Sequence, residues 1–275
     1  MSGVVRAAAV QLRIDVDDPD GNRARAAEAV ADAAASGAQL VVLPELACTG
    51  YVFTDRAESR RRAEPRDGRT LSAWRDLSAR HRLVLVGGFA ELGEDGEVYN
   101  SAALCDGGEL RAVYRKAHLW DQEAEHFRPG DQRPPVLATS AGRVGLMICY
   151  DLEFPEWTRL VALAGAQVLA APTNWPAALP RPAGERAIEV VRVQASASVN
   201  RLFVVAADRC GPERGVDWVG GSVIANPDGY PLAGPPATPT PALLLADLDL
   251  TQADDKATGP RNDVFTDRRP HLYEP

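Results

Sequence analysis

Apolar runs of strand length alternate with amphipathic helical stretches along the first ninety or so residues, and this narrows the fold more than any other feature of the 275-residue chain. "VVRAAAVQL" (4–12) reads as a short apolar strand. "NRARAAEAVADAAAS" (22–36) places Ala26, Ala27, Val30, Ala33 and Ala34 on one helical stripe, and Gly37 suits the stop that follows. "QLVVLPE" (39–45) is a buried strand, "LSAWRDLSARH" (71–81) a second helix and "LVLVGGFAE" (83–91) a third strand. Strands separated by helices predict parallel neighbours joined by crossovers, and hence an α/β fold.

The middle of the chain changes character. "VYNSAALCD" (98–106), Gly107-Gly108 and "ELRAVYRK" (109–116) read as a hairpin with a glycine turn. Further strands are expected at "RVGLMICY" (143–150), "AQVLAAP" (166–172), "RLFVVAAD" (201–208) and "ALLLADLDL" (242–250). "VGGSVIANPDGYPLA" (219–233) turns at Asp228-Gly229. Helices are expected near "EWTRLVALAG" (156–165) and over "GERAIEVVRVQASASVN" (184–200). Hairpins mixed with parallel units argue against an eight-fold barrel. "GPPATPTPA" (234–242) is a loop between two strands, too short for a linker. One domain over residues 1–275 is the simplest organisation. The tail, 259–275, lacks core periodicity, and its Val264, Phe265, Leu272 and Tyr273 need cover, which predicts packing along a dimer interface.

Hydrophobic residues make up 45% of the chain and charged residues 25%, enough for a sizeable core. The net charge is −8 and the basic residues are scattered, which weighs against nucleic acid or an anionic membrane as partner. The N-terminus lacks the layout of a signal peptide. Cys48, Cys105, Cys149 and Cys210 are far apart and form no CxxC pair, so reduced thiols in the cytoplasm are expected. His81, His118, His126 and His271 have no zinc-type spacing, so no metal site is expected.

Three of the strands end in reactive groups: Glu45, Lys116 and Cys149. In open α/β sheets ligands bind beyond the carboxyl ends of strands, where a carboxylate, an amine and a thiol could converge. Each residue alone has a plainer explanation. Cys149 suits a packed core thiol, Glu45 a cap and Lys116 a solvated strand end. Together those explanations weaken, because a charge after an apolar run is costly unless paired. A Glu–Lys pair beside a thiol suits nucleophilic chemistry: the carboxylate takes the thiol proton, and the ammonium favours the thiolate and stabilises an oxyanion.

"LVVLPELACTGY", "YRKAHLW" and "GLMICYDLEFPE" resemble, in order, the three signature blocks of the nitrilase superfamily of carbon–nitrogen hydrolases. The resemblance implies an α-β-β-α sandwich with mixed sheets, usually dimeric, and a catalytic triad of Glu45, Lys116 and Cys149. It also implies a second glutamate spaced Glu-x-x-x-aromatic-x-x-Gly. "EAEHFRPG" supplies Glu123 ahead of Phe127 and Gly130, whereas the adjacent Glu125 is out of register. The implied chemistry is covalent and needs no cofactor. Glu45 accepts the Cys149 proton, the thiolate attacks an amide carbonyl, Lys116 and the Tyr150 N–H stabilise the oxyanion, ammonia leaves and water cleaves the thioester. His118 is expected to pack or to support the site. Asn174, Trp175, Tyr51 and Trp120 are candidates for the substrate pocket, each equally readable as a packed side chain.

The residues after the cysteine, "CYDLEFPE", lack the Trp-Glu usual in nitrilases proper and resemble the aliphatic amidase and ω-amidase branches. The expected substrate is therefore a small primary carboxamide. An N-carbamoyl amine is the alternative, followed by a nitrile, and a catalytically silent binding protein is the rival outside enzymes.

Overall fold

Strand β1 (Val4–Arg13) is apolar along most of its length because both of its faces are covered. The computed structural model describes residues 3–178 and 180–273. In the first sheet β1, β2 (Leu40–Val42) and β3 (Val84–Leu92) run parallel. β4 (Val98–Asp106) and β5 (Glu109–Arg115) extend it as the expected antiparallel hairpin. The crossovers carry α1 (Pro19–Ala35), α2 (Arg56–Arg62) and α3 (Arg69–His81). Asp18 caps α1 by accepting from Gly21 N at 2.9 Å, with Pro19 opening the first turn.

After the one-turn helix α4 (Glu123–His126), the second sheet begins with the hairpin β6 (Val136–Thr139) and β7 (Gly142–Leu146). It continues in parallel through β8 (Val168–Pro172) and β9 (Phe203–Ala207), and the crossovers carry α5 (Pro155–Leu163) and α6 (Ile188–Asn200). The two-residue β10 (Arg209–Cys210) then crosses to the end of β1. β11 (Val223–Ala225) and β12 (Pro231–Ala233) return antiparallel to complete the second sheet. β13 (Ala242–Asp249) pairs antiparallel with β1, from Gln11 opposite Ala242 to Val4 opposite Asp249. A short helix α7 (Thr251–Asp254) and the small hairpin β14 (Ala257–Gly259) and β15 (Asn262–Asp263) close the chain.

Period-two alternation sorts the first sheet's side chains into two cores. Ala8, Val10, Val41, Leu85 and Ala103 pack against Ala26, Val30, Leu71 and Trp74 of α1 and α3. Ala7, Ala9, Leu40, Val42, Val84 and Val86 belong to a larger core with β7, β8 and β9, and β8 and β9 are buried throughout. Val161, Val190, Val193 and Ala197 of α5 and α6 also belong to that core. The order of layers is α-β-β-α, as expected.

Two sequence expectations are corrected. Residues 184–187 are not helical: α6 starts at Ile188, after Ala187 with an extended ψ of 138°. The strand carrying the thiol stops at Leu146, and Cys149 opens a separate helical turn, Cys149–Glu153. In the tail, Phe265 packs against the main core under Arg159 and Lys256, whereas Leu272 and Tyr273 are exposed. No helix among the described residues is long and apolar enough to cross a membrane.

Candidate active site

β2, β5 and β7 each stop short of the reactive residue that follows: Glu45 and Lys116 stand on loops, and Cys149 opens the helical turn beyond β7. Beyond Val42 the chain runs through Leu43 and Pro44 to Glu45, and Leu46 takes a left-handed φ of 48°. Gly88 on β3 makes this bend possible. Its amide donates to Pro44 O at 3.0 Å and its carbonyl accepts from Ala47 N at 2.9 Å. A Cβ at position 88 would lie 2.5 Å from Glu45 Cα, so only glycine lets the two backbones approach this closely. Lys116 follows β5 directly and is fixed by its own backbone, N donating to Asn100 O and O accepting from Gly130 N, both at 2.8 Å.

Lys116 is wholly buried between two carboxylates. Its Nζ donates to Glu45 Oε1 at 2.8 Å and to Glu123 Oε1 at 2.7 Å. Asn100 Nδ2 donates to Glu45 Oε1 at 2.6 Å, and Tyr51 OH donates to Glu123 Oε1 at 2.8 Å. The Trp120 amide donates to Glu123 Oε2 at 3.0 Å. Glu45 Oε2 is buried and has no hydrogen-bond partner among the described residues. Glu125, two residues from Glu123, is exposed to solvent. The spacing that distinguishes these two glutamates has a physical basis. The Phe127 amide donates to Glu123 O at 2.8 Å and the Phe127 ring packs edge-on against Phe53. A Cβ on Gly130 would lie 2.3 Å from Arg115 O, so the glycine is needed where the chain crosses back over β5.

Cys149 has a left-handed φ of 46°, a conformation that non-glycine residues rarely adopt and that costs free energy. The thiol donates to Asn174 O at 3.5 Å. Its turn is held by Asp151, which accepts from the Ile148 amide at 3.1 Å and from Tyr114 OH at 2.8 Å. Asp151 also lies 2.7 Å from His118 Nδ1, and the His118 ring stacks on Phe154 with centroids 3.7 Å apart. His118 therefore ties the lysine segment to the cysteine turn, although β5 has ended before it and it shares no strand face with Lys116.

The electrostatics correct one expectation. Lys116 does pull the Cys149 thiol towards ionisation, but burial and the Glu45 carboxylate outweigh it and push the thiol well above its ordinary range. Burial, partly offset by Lys116, raises Glu45 to about 7. Burial alone would lower Lys116, but Glu123 and Glu45 hold it well above its usual value, as an ammonium. The thiolate is therefore not a resting state and forms only when a base takes its proton.

Cys149 opens onto a cavity of about 260 Å³ that Tyr51, Trp120, Tyr150, Asn174 and Trp175 also line. Asn174 is 1% exposed, and neither its Oδ1 nor its Nδ2 has a partner among the described residues. Its loop is anchored from below by Asp208, which accepts from Trp175 N, Arg209 N and Gly221 N at 2.9–3.0 Å. Burial nevertheless raises this carboxyl to about 7. Tyr51 is positioned from the other side, because Glu213 Oε2 accepts from Tyr51 N at 2.9 Å and Val52 N at 2.8 Å. Asn100, Asp151, Asp208 and Glu213 were not singled out from the sequence. Asn100 left one trace there, as an amide within a strand whose neighbouring stretch is mostly apolar.

With this architecture the chain falls among the cysteine-dependent hydrolases of carbon–nitrogen bonds. It belongs to the carbon–nitrogen hydrolase family, whose model matches residues 6–257, in the amidase branch of the nitrilase superfamily. It is 37% identical over 272 residues to a nitrilase from Pyrococcus abyssi, covering 98% of this chain and 99% of the relative. It is 35% identical to an (R)-stereoselective amidase from a Pseudomonas species, covering 94% and 90%. The solved amidase of Nesterenkonia sp. AN1 superimposes with a TM-score of 0.81 at 31% identity, covering 98% of each chain. Variants of that amidase carry acrylamide, or the acetamide moiety of fluoroacetamide, on the active-site cysteine, and another is complexed with butyramide.

Proposed function

We propose that this enzyme hydrolyses short aliphatic primary amides to a carboxylic acid and ammonia through a thioester on Cys149. The observation that carries the reading is the spare oxygen of Glu45, Oε2, buried and unpartnered in a site whose thiol it influences electrostatically. Glu45 accepts the Cys149 proton as the sulfur bonds to the amide carbon, and the carbonyl electrons move onto oxygen beside Lys116 and the Tyr150 N–H. Glu45 then protonates the nitrogen, the C–N bond breaks and ammonia leaves. A water gives Glu45 a proton as its oxygen adds to the thioester, and the C–S bond breaks to return the thiol. Glu123 keeps Lys116 charged and in place. The unpaired Asn174 amide offers a donor and an acceptor to the substrate. The small amides borne by the Nesterenkonia amidase favour the same substrate class here.

The test is kcat/KM for one acyl chain presented as amide, nitrile and N-carbamoyl amine, so that pocket fit cancels. The amide should be fastest. A nitrile puts developing charge on nitrogen, which needs differently placed donors. A clear preference for the nitrile, the activity named for the Pyrococcus relative, or for the carbamoyl compound would overturn the amide reading. We further propose a homodimer that covers Leu163, Ile188, Val191 and Val199 of α5 and α6, together with Leu272 and Tyr273, all exposed in the single chain. Deleting residues 259–275 should then lower the mass seen by light scattering on dilution, and an unchanged mass would count against the tail's role.

A further inference from the structure

One wall of the Cys149 cavity is charged. Glu153, Glu189 and Arg192 line it together with the thiol. Arg192 is committed, its Nη1 lying 2.7 Å from Glu153 Oε1. Glu189 is 8% exposed, and no hydrogen bond or ion pair from its carboxylate to any described residue is found. Two carboxylates against one guanidinium leave this wall with one negative charge. Burial raises the Glu153 carboxyl, Arg192 lowers it and Glu189 raises it further.

A carboxylate in the first turn of α6 complements the helix dipole, but an exposed position would serve as well. The dipole does not account for a largely buried side chain that lines the cavity beside the thiol. Its carboxylate oxygens stay accessible there and have no partner among the described residues, which leaves them free to meet a cation. If Arg192 instead left Glu153 to bind an anion, two carboxylates would stand unpaired in one cavity.

We infer that Glu189, backed by the Glu153–Arg192 pair, forms a cation subsite that receives an ammonium group at the far end of the acyl chain, so that amino-substituted aliphatic amides are the preferred substrates. This rests on the amidase reading above and deepens it.

The experiment compares three amides of matched length, hexanamide, 5-aminopentanamide and glutaric monoamide, with parent and Glu189→Gln enzymes. A second readout needs no turnover: protection of Cys149 from iodoacetamide by butylammonium and by the uncharged butanol-length alcohol. In the parent, kcat/KM should favour the ammonium compound over the neutral one by about tenfold to a hundredfold, the size of a charge-assisted hydrogen bond. That ratio should collapse towards one in Glu189→Gln. Because it is a ratio within one enzyme, a general loss of activity in the variant cancels. Butylammonium should protect at lower concentration than the alcohol, and only in the parent. A ratio near one in the parent, a ratio retained in the variant, or a preference for glutaric monoamide would overturn the subsite. If no amide is turned over but protection by butylammonium depends on Glu189, the amidase reading fails and the subsite stands. If neither turnover nor protection appears, both fail.

Discussion

The molecule buries two clusters of charge that differ in how their carboxylates are partnered, although Arg209 Nε, like Glu45 Oε2, has no partner among the described residues. Arg209 and Glu213 form a fully buried two-pronged pair, Nη1 to Oε2 at 3.0 Å and Nη2 to Oε1 at 2.9 Å, with Trp218 stacked 4.3 Å from the guanidinium. Glu213 Oε2 also takes the Tyr51 and Val52 amides, so both carboxylate oxygens are occupied. In the Glu45–Lys116–Glu123 cluster, equally buried, one oxygen of Glu45 has no partner. A closed ion pair fixes structure and has no capacity for a further proton. An open one bears a desolvation cost and keeps a proton-accepting site near the thiol. The difference separates scaffold from chemistry more clearly than burial or charge does.

Breaking the open cluster should have the largest effect. Glu45→Gln keeps the shape and removes the base, so ammonia release should fall by about 10²–10⁴-fold while the circular-dichroism melt stays cooperative. Glu123→Gln should also slow turnover, and the exposed Glu125→Gln should stay near the parent rate. Damage at Glu125 in place of Glu123 would refute the assignment of the second glutamate. Breaking the closed cluster should act on stability. Glu213→Gln leaves Arg209 buried without its counter-charge, and urea unfolding should register a loss of about 3–5 kcal/mol. If that variant instead kept its stability and lost catalysis as badly as Glu45→Gln, the division between the clusters would not hold.

The smallest effect sharpens the same comparison through pH. Burial raises the Glu45 carboxyl to about 7 in the folded chain, above its ordinary 4.5. Its contribution to stability is therefore full below about 4.5 and is lost as pH rises through about 7. Parent and Glu45→Gln melting temperatures should diverge in the variant's favour between about pH 4.5 and about pH 7 and then run parallel. Over the same range the parent's kcat/KM should climb as the carboxylate becomes free to accept a proton. A flat difference in melting temperature would mean that Glu45 is ionised throughout.

The elements that set up the site were legible because their signals are local. β1, β2, β3 and β8 are apolar runs with abrupt ends; Glu45 follows β2, Lys116 follows the mixed strand β5, and Cys149 stands a few residues beyond β7. Glu123 was legible from a spacing, because Phe127 and Gly130 anchor its loop to Phe53 and to the Arg115 carbonyl. The supports were not. Asn100 reaches Glu45 across 55 positions and Glu213 reaches Tyr51 across 162, and no pattern within a window of sequence encodes such pairs. The charged wall was hidden for the same reason: Glu153 and Arg192 read as ordinary surface charges on separate elements until the packing of α6 beside the cysteine turn brings them together.

The left-handed backbone at Cys149 has a consequence for inheritance. A side chain in that conformation costs on the order of 1 kcal/mol that glycine would not incur. Glycine at position 149 would relax the turn and at the same time remove the thiol. Under the chemistry proposed above, the residue that suits the backbone here is one that cannot catalyse, so at this position backbone ease and turnover pull a lineage in opposite directions.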